Sequence, residues 1–169
     1  MRNLNPVPVT PLTGTLKSRP TARAIIVDGK NILLVYTKRY DDFGLPGGGI
    51  DAGESTNEAL KRELREEIGA VDIQIHREFG VYEEYRPDRH ESNVAWHIES
   101  YYYVCSLNAP LGTAMPEEYE INSGLEARWV NINDAIAHNL KILDSDIAGF
   151  SVHRELAVLQ KIKTELMNF

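Results

Sequence analysis

This chain predicts an α/β fold in which helices lie on a mixed β-sheet, and three observations carry that expectation. Short runs rich in β-branched and aromatic residues recur between Ala22 and Val130, as strands require. Within that span, Thr56 to Ile68 places Ala59, Leu60, Leu64 and Ile68 along one face of a helix. At 169 residues and 43% hydrophobic composition, the chain is long enough for one sizeable core and too short for two ordinary domains.

Taken in order, residues 1–19 are rich in Pro, Thr and Asn and read as an extended or flexible arm before a single domain over residues 20–169. Ala22 to Asp28 and Ile32 to Lys38 read as strands joined by the hairpin turn Asp28-Gly29-Lys30-Asn31. A glycine-rich loop follows, then the helix Thr56 to Ile68, which Gly69 stops. Val71 to Tyr85 and Val94 to Leu107 read as longer strands around a polar loop, and Leu125 to Val130 as a last strand with Trp129 in the core. Asn131 or Asn133 caps a short helix ending near His138, and Asp144 or Asp146 caps a longer one to about Met167.

The chemistry concentrates in Gly48 to Ala70, GGIDAGESTNEALKRELREEIGA. Glu63, Glu66 and Glu67 are spaced so that a helix gathers them on one face. Like charges at this spacing cost a helix about 0.2–0.5 kcal/mol per pair, and a cation relieves that repulsion. An all-oxygen ligand set favours Mg²⁺ or Mn²⁺ over zinc. Glu58 with Arg62, or Arg62 with Glu66, could also form simple i,i+4 pairs on a solvated face. The loop before the helix argues for more than that. Five of the twelve glycines fall between Gly44 and Gly53, where close approach of backbone to a ligand calls for them.

This segment resembles the box of the Nudix hydrolase family, G-x5-E-x7-R-E-U-x-E-E-x-G-U, position by position. Gly48, Glu54, Arg62, Glu63, Leu64, Glu66, Glu67, Gly69 and Ala70 occupy its fixed places, Ala70 being smaller than the usual apolar residue. Leu45-Pro46-Gly47 ahead of the box and Ala127-Arg128-Trp129-Val130 downstream also match. The resemblance implies the α/β/α sandwich of that family. It further implies metal-dependent hydrolysis of a diphosphate linkage in a nucleoside diphosphate derivative, such as a nucleoside triphosphate, ADP-ribose or a nucleotide sugar, by water attack at phosphorus.

Under that resemblance, Glu63, Glu66, Glu67 and the Gly48 carbonyl are the expected metal ligands, with one of the glutamates free to orient or deprotonate water instead. Arg62 and Glu54 are expected to pair and fasten loop to helix. Glu120 and Glu126, chosen from Glu117, Glu118, Glu120 and Glu126, are the downstream candidates for a catalytic base. Arg23 and Arg39 are candidates for phosphate contacts, and Phe43, Tyr82 and Tyr85 for stacking on a base. His97 lies in a strand and either faces the pocket or packs, whereas His76, His90, His138 and His153 show no ligand spacing for zinc. In this family a proline or a tyrosine about sixteen residues past the box marks substrate subclasses. Here Tyr85 and Pro87 straddle that position, so the subclass stays open. A degraded box would mark a sensor that binds nucleotides or nucleotide sugars without cleaving them. All four glutamates and Arg62 are present.

Charge narrows the partners. A net charge of −7 and a pI near 5.2 disfavour a broad nucleic-acid or anionic-membrane footprint. No run reaches the roughly 18 apolar residues of a membrane span, and Pro6, Pro8 and Pro11 interrupt any signal-like segment. Cys105 is the single cysteine, expected to be a buried hydrophobe in a protein of the reducing cytoplasm. A homodimer is compatible with the proline-containing arm.

Overall fold

The run Ile32 to Val35 is buried at every position, so the sheet it belongs to is covered on both faces. A computed structural model describes residues 1–167. Its elements are β1 (Thr15–Ile25), β2 (Val27–Asp28), β3 (Asn31–Thr37), β4 (Asp42–Gly44), β5 (Gly47–Gly49), α1 (Thr56–Ile68), β6 (Ile73–Pro87), β7 (Val94–Leu107), α2 (Glu118–Ser123), β8 (Leu125–Asn131), α3 (Ile132–Leu143) and α4 (Val152–Leu166).

One sheet runs β5-β1-β7-β6 and is mixed, since β1 pairs parallel to β7 and antiparallel to β5. The other runs β2-β3-β4, with β8 added to β3. Strand alternation divides the core in two. Ala24, Leu33, Val35 and Tyr103 face α1 through Leu60, Leu64 and Ile68. Ile25, Ile32, Leu34 and Tyr102 face α3 and α4 through Ile132, Val158, Leu159 and Ile162. The result is the expected sandwich of helices around mixed β-structure. Among the described residues, no helix is long and apolar enough to cross a membrane.

α1 starts where Ser55 Oγ accepts from the Glu58 amide at 3.3 Å and Glu58 Oε2 accepts from the Ser55 amide at 2.9 Å. This reciprocal cap satisfies two amides that the first turn leaves free. The helix ends at Gly69, whose φ of 69° is left-handed and whose missing Cβ leaves room for the Gly112 carbonyl.

Several boundaries differ from the sequence expectation. β1 begins at Thr15 because its register on β7, Thr15 to Val94 through Ile25 to Val104, continues through the polar stretch TLKSRPT, which shows no apolar alternation. α2 was not expected. α3 continues past His138 to Leu143, and Asp144 stands at its C-terminal end. The residue that hides this is Asn139, fully buried and polar, whose amide bonds the Phe43 backbone on β4 at 2.9 and 2.7 Å. α4 starts after Ser151, not at Asp144 or Asp146. Trp129 is 46% exposed, because the packing that covers Leu125 and Ala127 on its face of β8 does not extend over it. Cys105 is buried, and burial pushes its thiol up to about 12.

The N-terminal residues lie against the edge of β6. Leu4 N donates to Val81 O at 2.8 Å, Val81 N donates to Arg2 O at 2.8 Å, and Asn5 brackets the Glu83 backbone. Gly80 makes room for Leu4, which is buried in the α3/α4 side of the core. Leu4→Ala is expected to cost about 2–5 kcal/mol, the range for emptying a buried leucine site. Denaturant unfolding of the two proteins measures it, and a loss below about 1 kcal/mol would mean the segment is not part of the folded core.

Candidate active site

β5 is three glycines long, and two of them are required by what stands beside them. A Cβ on Gly48 would sit 2.2 Å from Glu63 Oε2, and one on Gly47, at φ 125°, would sit 2.2 Å from the Ala22 carbonyl. The bare backbone thus lets the α1 carboxylates close directly onto the loop. Glu67 Oε2 accepts from the Gly47 amide at 2.7 Å. Its side chain is buried, and burial pushes its pKa up to about 8 against the pull of Arg23 and the Gly47 N–H. Burial also raises the Glu63 carboxyl.

Arg62 ties this arrangement together. It binds Glu54 with two bonds of 2.9 Å, donates to Gly49 O at 2.9 Å, and reaches Glu63 Oε1 at 2.8 Å and Glu66 Oε2 at 3.3 Å. Hydrogen bonding to Arg62 holds the Glu54 carboxyl below its ordinary value. Arg23, on β1, donates to Leu45 O at 3.1 Å and to Gly47 O. Arg62 therefore cross-links loop and helix, and Arg23 ties the glycine loop to β1.

The donor chemistry fits a hard divalent cation: Glu63, Glu66, Glu67 and the Gly48 carbonyl all offer oxygen donors. Glu67 in particular is a buried carboxyl that a single backbone amide does not satisfy as an anion. Among the described residues, the three glutamates do not yet bring ligand atoms within 4.8 Å of one another, since Arg62 Nη1 lies between Glu63 and Glu66.

Glu67 and the glycine strand border a cleft of about 430 Å³. Of the other sequence candidates, Arg23, Arg39 and Glu120 line it. Glu120 is buried, lies on α2, caps that helix by accepting from the Glu117 amide at 2.7 Å, and accepts from Tyr119 Oη at 3.2 Å. Glu126 does not reach the cleft: it is exposed on β8 and pairs with Arg128 at 2.7 Å. The aromatic candidates lie elsewhere too. Phe43 is in the core against Tyr36 and His138, Tyr82 packs on the α3/α4 side of the core, and Tyr85 stacks on His97 at 4.7 Å.

What sequence reading missed is the arginine wall. Arg19, Arg86, Arg89 and Arg154 join Arg23 and Arg39, so six of the chain's eleven arginines line the cleft, and among the described residues no lysine does. Arg154 bonds Glu155 Oε1 at 2.7 Å and Glu84 Oε1 at 2.5 Å, Arg86 bonds Glu84 at 2.6 Å, and Glu155 Oε2 accepts from the Leu45 amide at 2.9 Å. This buried network pins α4 to the loop that leads into the box. Its sequence signal was Glu155, a charge within the apolar stripe Val152, Leu156, Leu159 and Ile162. Among the described residues, Arg23 Nε and Arg86 Nε are buried without a hydrogen-bond acceptor, an unmet demand that an anion in the cleft answers. Beyond Arg86 and Arg89 the cleft opens into a recess of about 490 Å³ with Trp96, Tyr119 and Phe150.

Glu67 makes stability depend on pH. Its carboxyl is raised from 4.5 to about 8 and Asp42 from 3.8 to about 6, both chiefly by burial. The folded protein therefore holds protons that the unfolded chain has released, and stability falls as pH rises between the two values of each group. Metal-free protein is expected to lose about 4 °C or more in Tm from pH 5 to pH 8. Glu67→Gln should remove most of that loss, and a variant melting with the wild-type pH dependence would refute the assignment to Glu67.

Comparison with known proteins agrees with this architecture. A human diphosphoinositol polyphosphate phosphohydrolase is 32% identical over 108 residues, covering 62% of this chain and 52% of that protein. An RNA pyrophosphohydrolase of Nitratiruptor sp. is 41% identical over 73 residues, 40% of this chain and 47% of its own length. The chain thus spans about half the length of these curated relatives. Two solved structures share the fold. A MutT NUDIX hydrolase from Burkholderia pseudomallei has TM-score 0.55 at 23% identity over 83% of this chain and 96% of its own. A NUDIX hydrolase from Nitrosomonas europaea has TM-score 0.58 at 16% identity over 84% and 90%. The family model described as the NUDIX domain matches residues 17–150, and the chain belongs to the NUDIX family.

Proposed function

We propose that this protein is a pyrophosphohydrolase, cleaving a phosphoanhydride bond in a small, multiply charged phosphate ester. The observation that carries this reading is the juxtaposition of buried carboxylates with an arginine wall. Six arginines, Glu67 and Glu120 line one cleft of a protein whose net charge is −7. An acidic chain that gathers its guanidinium groups at one place is built to receive an anion.

Glu63, Glu66, Glu67 and the Gly48 carbonyl would hold Mg²⁺ or Mn²⁺. When bound, the ion neutralises phosphate oxygens and makes a coordinated water more acidic. Arg23, which pairs with Gly47 across β1 and β5, and Arg39, which also lines the cleft, would grip the diphosphate, with bidentate contacts that orient it. Glu67 and Glu120 face the same cleft, and either can take the proton of the attacking water. Glu54 and Arg62 would act by position, holding loop and helix in register.

The far end of the cleft reads as the place for the remainder of the substrate. Arg89 lies over the Phe150 ring at 5.2 Å and Arg86 at 5.9 Å. The recess there combines cations and aromatic faces, a combination that accepts either a nucleoside or a second phosphorylated group. Relatives named for diphosphoinositol polyphosphates, for RNA and, among structures of the same fold, for UDP-X set the range of substrates to try beside nucleoside triphosphates, ADP-ribose, nucleotide sugars and dinucleoside polyphosphates.

The deciding experiment is a screen of those compounds with Mg²⁺ or Mn²⁺, resolving products by chromatography. Cleavage of one class between two phosphorus atoms is expected. Binding of one compound without turnover would instead identify a sensor. On the preferred substrate, Glu66→Gln and Glu67→Gln are each expected to lower kcat at least about a hundredfold with the fold retained, and near-normal rates in both would overturn the site. Arg89→Ala is expected to raise KM about tenfold with kcat little changed, as for loss of a contact made equally in ground and transition states. An unchanged KM would remove the far recess from the binding site.

A further inference from the structure

The sheet that lines the cleft with one face carries a second set of ligating side chains on the other. β6 and β7 pair antiparallel with Glu83 opposite Glu99 and Tyr85 opposite His97. Arg86 and Ile98, the neighbours of Tyr85 and of both His97 and Glu99 in the chain, line the cleft. Alternation therefore turns Glu83, Tyr85, His97 and Glu99 to the opposite face.

Two carboxylates set directly opposite each other across an antiparallel pair repel. Neither is paired with a lysine or arginine among the described residues. The group beside them is His97, whose Nε2 stands 3.9 Å from Glu83 Oε2. That separation is too long for a hydrogen bond. The nitrogen is nevertheless shut off from solvent and has no hydrogen-bond partner among the described residues, although the side chain as a whole is 26% exposed.

One ligand atom from each of Glu83, His97 and Glu99 lies within 4.8 Å of the others. Two ligands bound at about 2.0–2.2 Å to a common ion stand about 3–4 Å apart, so 3.9 Å is a spacing an ion bridges with little movement. The ligands are also held. The His97 ring is stacked on Tyr85, with centroids 4.7 Å apart and planes 11° from parallel. Glu99 Oε1 accepts from Tyr101 Oη at 3.2 Å, the outer hydrogen bond that orients a ligating carboxylate. One imidazole with two carboxylates suits a transition ion such as Zn²⁺ better than Mg²⁺.

We propose that Glu83, His97 and Glu99 bind a divalent transition-metal ion, Zn²⁺ by the chemistry of its ligands, on the sheet face opposite the cleft. The ion replaces a repulsion between β6 and β7 by a cross-link. The site is separate from the box glutamates and does not depend on the proposed hydrolysis.

The test titrates Zn²⁺ into the full-length protein by calorimetry, with excess Mg²⁺ present to occupy the box carboxylates, and compares wild type with His97→Ala and with the isosteric Glu83→Gln. Wild type should bind one equivalent of Zn²⁺ more than either variant, and Zn²⁺ should raise its Tm further than theirs. Without metal, Glu83→Gln should melt no lower than wild type, because it removes a like-charge contact. Equal stoichiometry and equal Zn²⁺-induced Tm shifts in all three proteins would overturn the proposal, as would a metal-free Glu83→Gln protein that melts markedly lower.

Discussion

Much of this molecule follows from the absence of a side chain at Gly48, which lets the Glu63 carboxyl lie on the β5 backbone where any Cβ would collide. α1 can then approach the strand closely enough for Glu67 to accept the Gly47 amide. That contact buries a carboxyl, and a buried carboxyl demands compensation. Arg23 on β1 and the Gly47 amide supply part of it, while Arg62, on the helix itself, pairs with the neighbouring Glu63. The loop between β5 and α1 is fixed in turn by the two bonds between Glu54 and Arg62. A short strand, a helix and the loop that joins them thus form one unit because of a few carboxylate contacts.

Charge is distributed on the same logic. The chain is acidic overall, yet the cleft collects arginines, and the buried one on α4, Arg154, is neutralised within the protein. Arg154 and Glu155 sit at 6% and 3% side-chain exposure. A buried pair of this kind contributes little net stability but costs about 3–5 kcal/mol to break on one side. Here its value is positional, because Glu155 also holds the Leu45 amide. The same glutamate that satisfies Arg154 therefore sets the path of the backbone into Gly47 and Gly48, linking the C-terminal helix to the carboxylate site.

The β5-β1-β7-β6 sheet separates two chemistries across its thickness. Thr21 and Ser100 share a 3.0 Å hydrogen bond between adjacent strands β1 and β7, and Ile98 and Arg86 continue that face into the cleft. Residues one step along the same strands, Glu83, His97 and Glu99, occupy the other face. A two-residue repeat is enough to keep them apart.

The sequence by itself determined what depends on local spacing. The helix Thr56 to Ile68 and its Gly69 stop, the hairpin at Gly29, the long strands β6 and β7, and the gathering of Glu63, Glu66 and Glu67 on one helix all follow from periods of 3.6 and 2 and from the glycine's left-handed φ. Tertiary structure decided what distant segments do to one another. Strand β1 gains its polar half only by pairing with β7. Asn139 belongs inside α3 only because β4 presents a backbone to its amide. Phe43, Tyr82 and Tyr85 carry the right chemistry for stacking on a base, but strand alternation and core packing turn them away from the cleft, while Arg19, Arg86, Arg89 and Arg154 arrive there from three separate segments. Glu120 and Glu126 were indistinguishable as sequence. A short helix folds the first into the cleft, and an edge strand leaves the second in water. Side-chain direction is set by register and packing between elements far apart in the chain, and no local pattern encodes it.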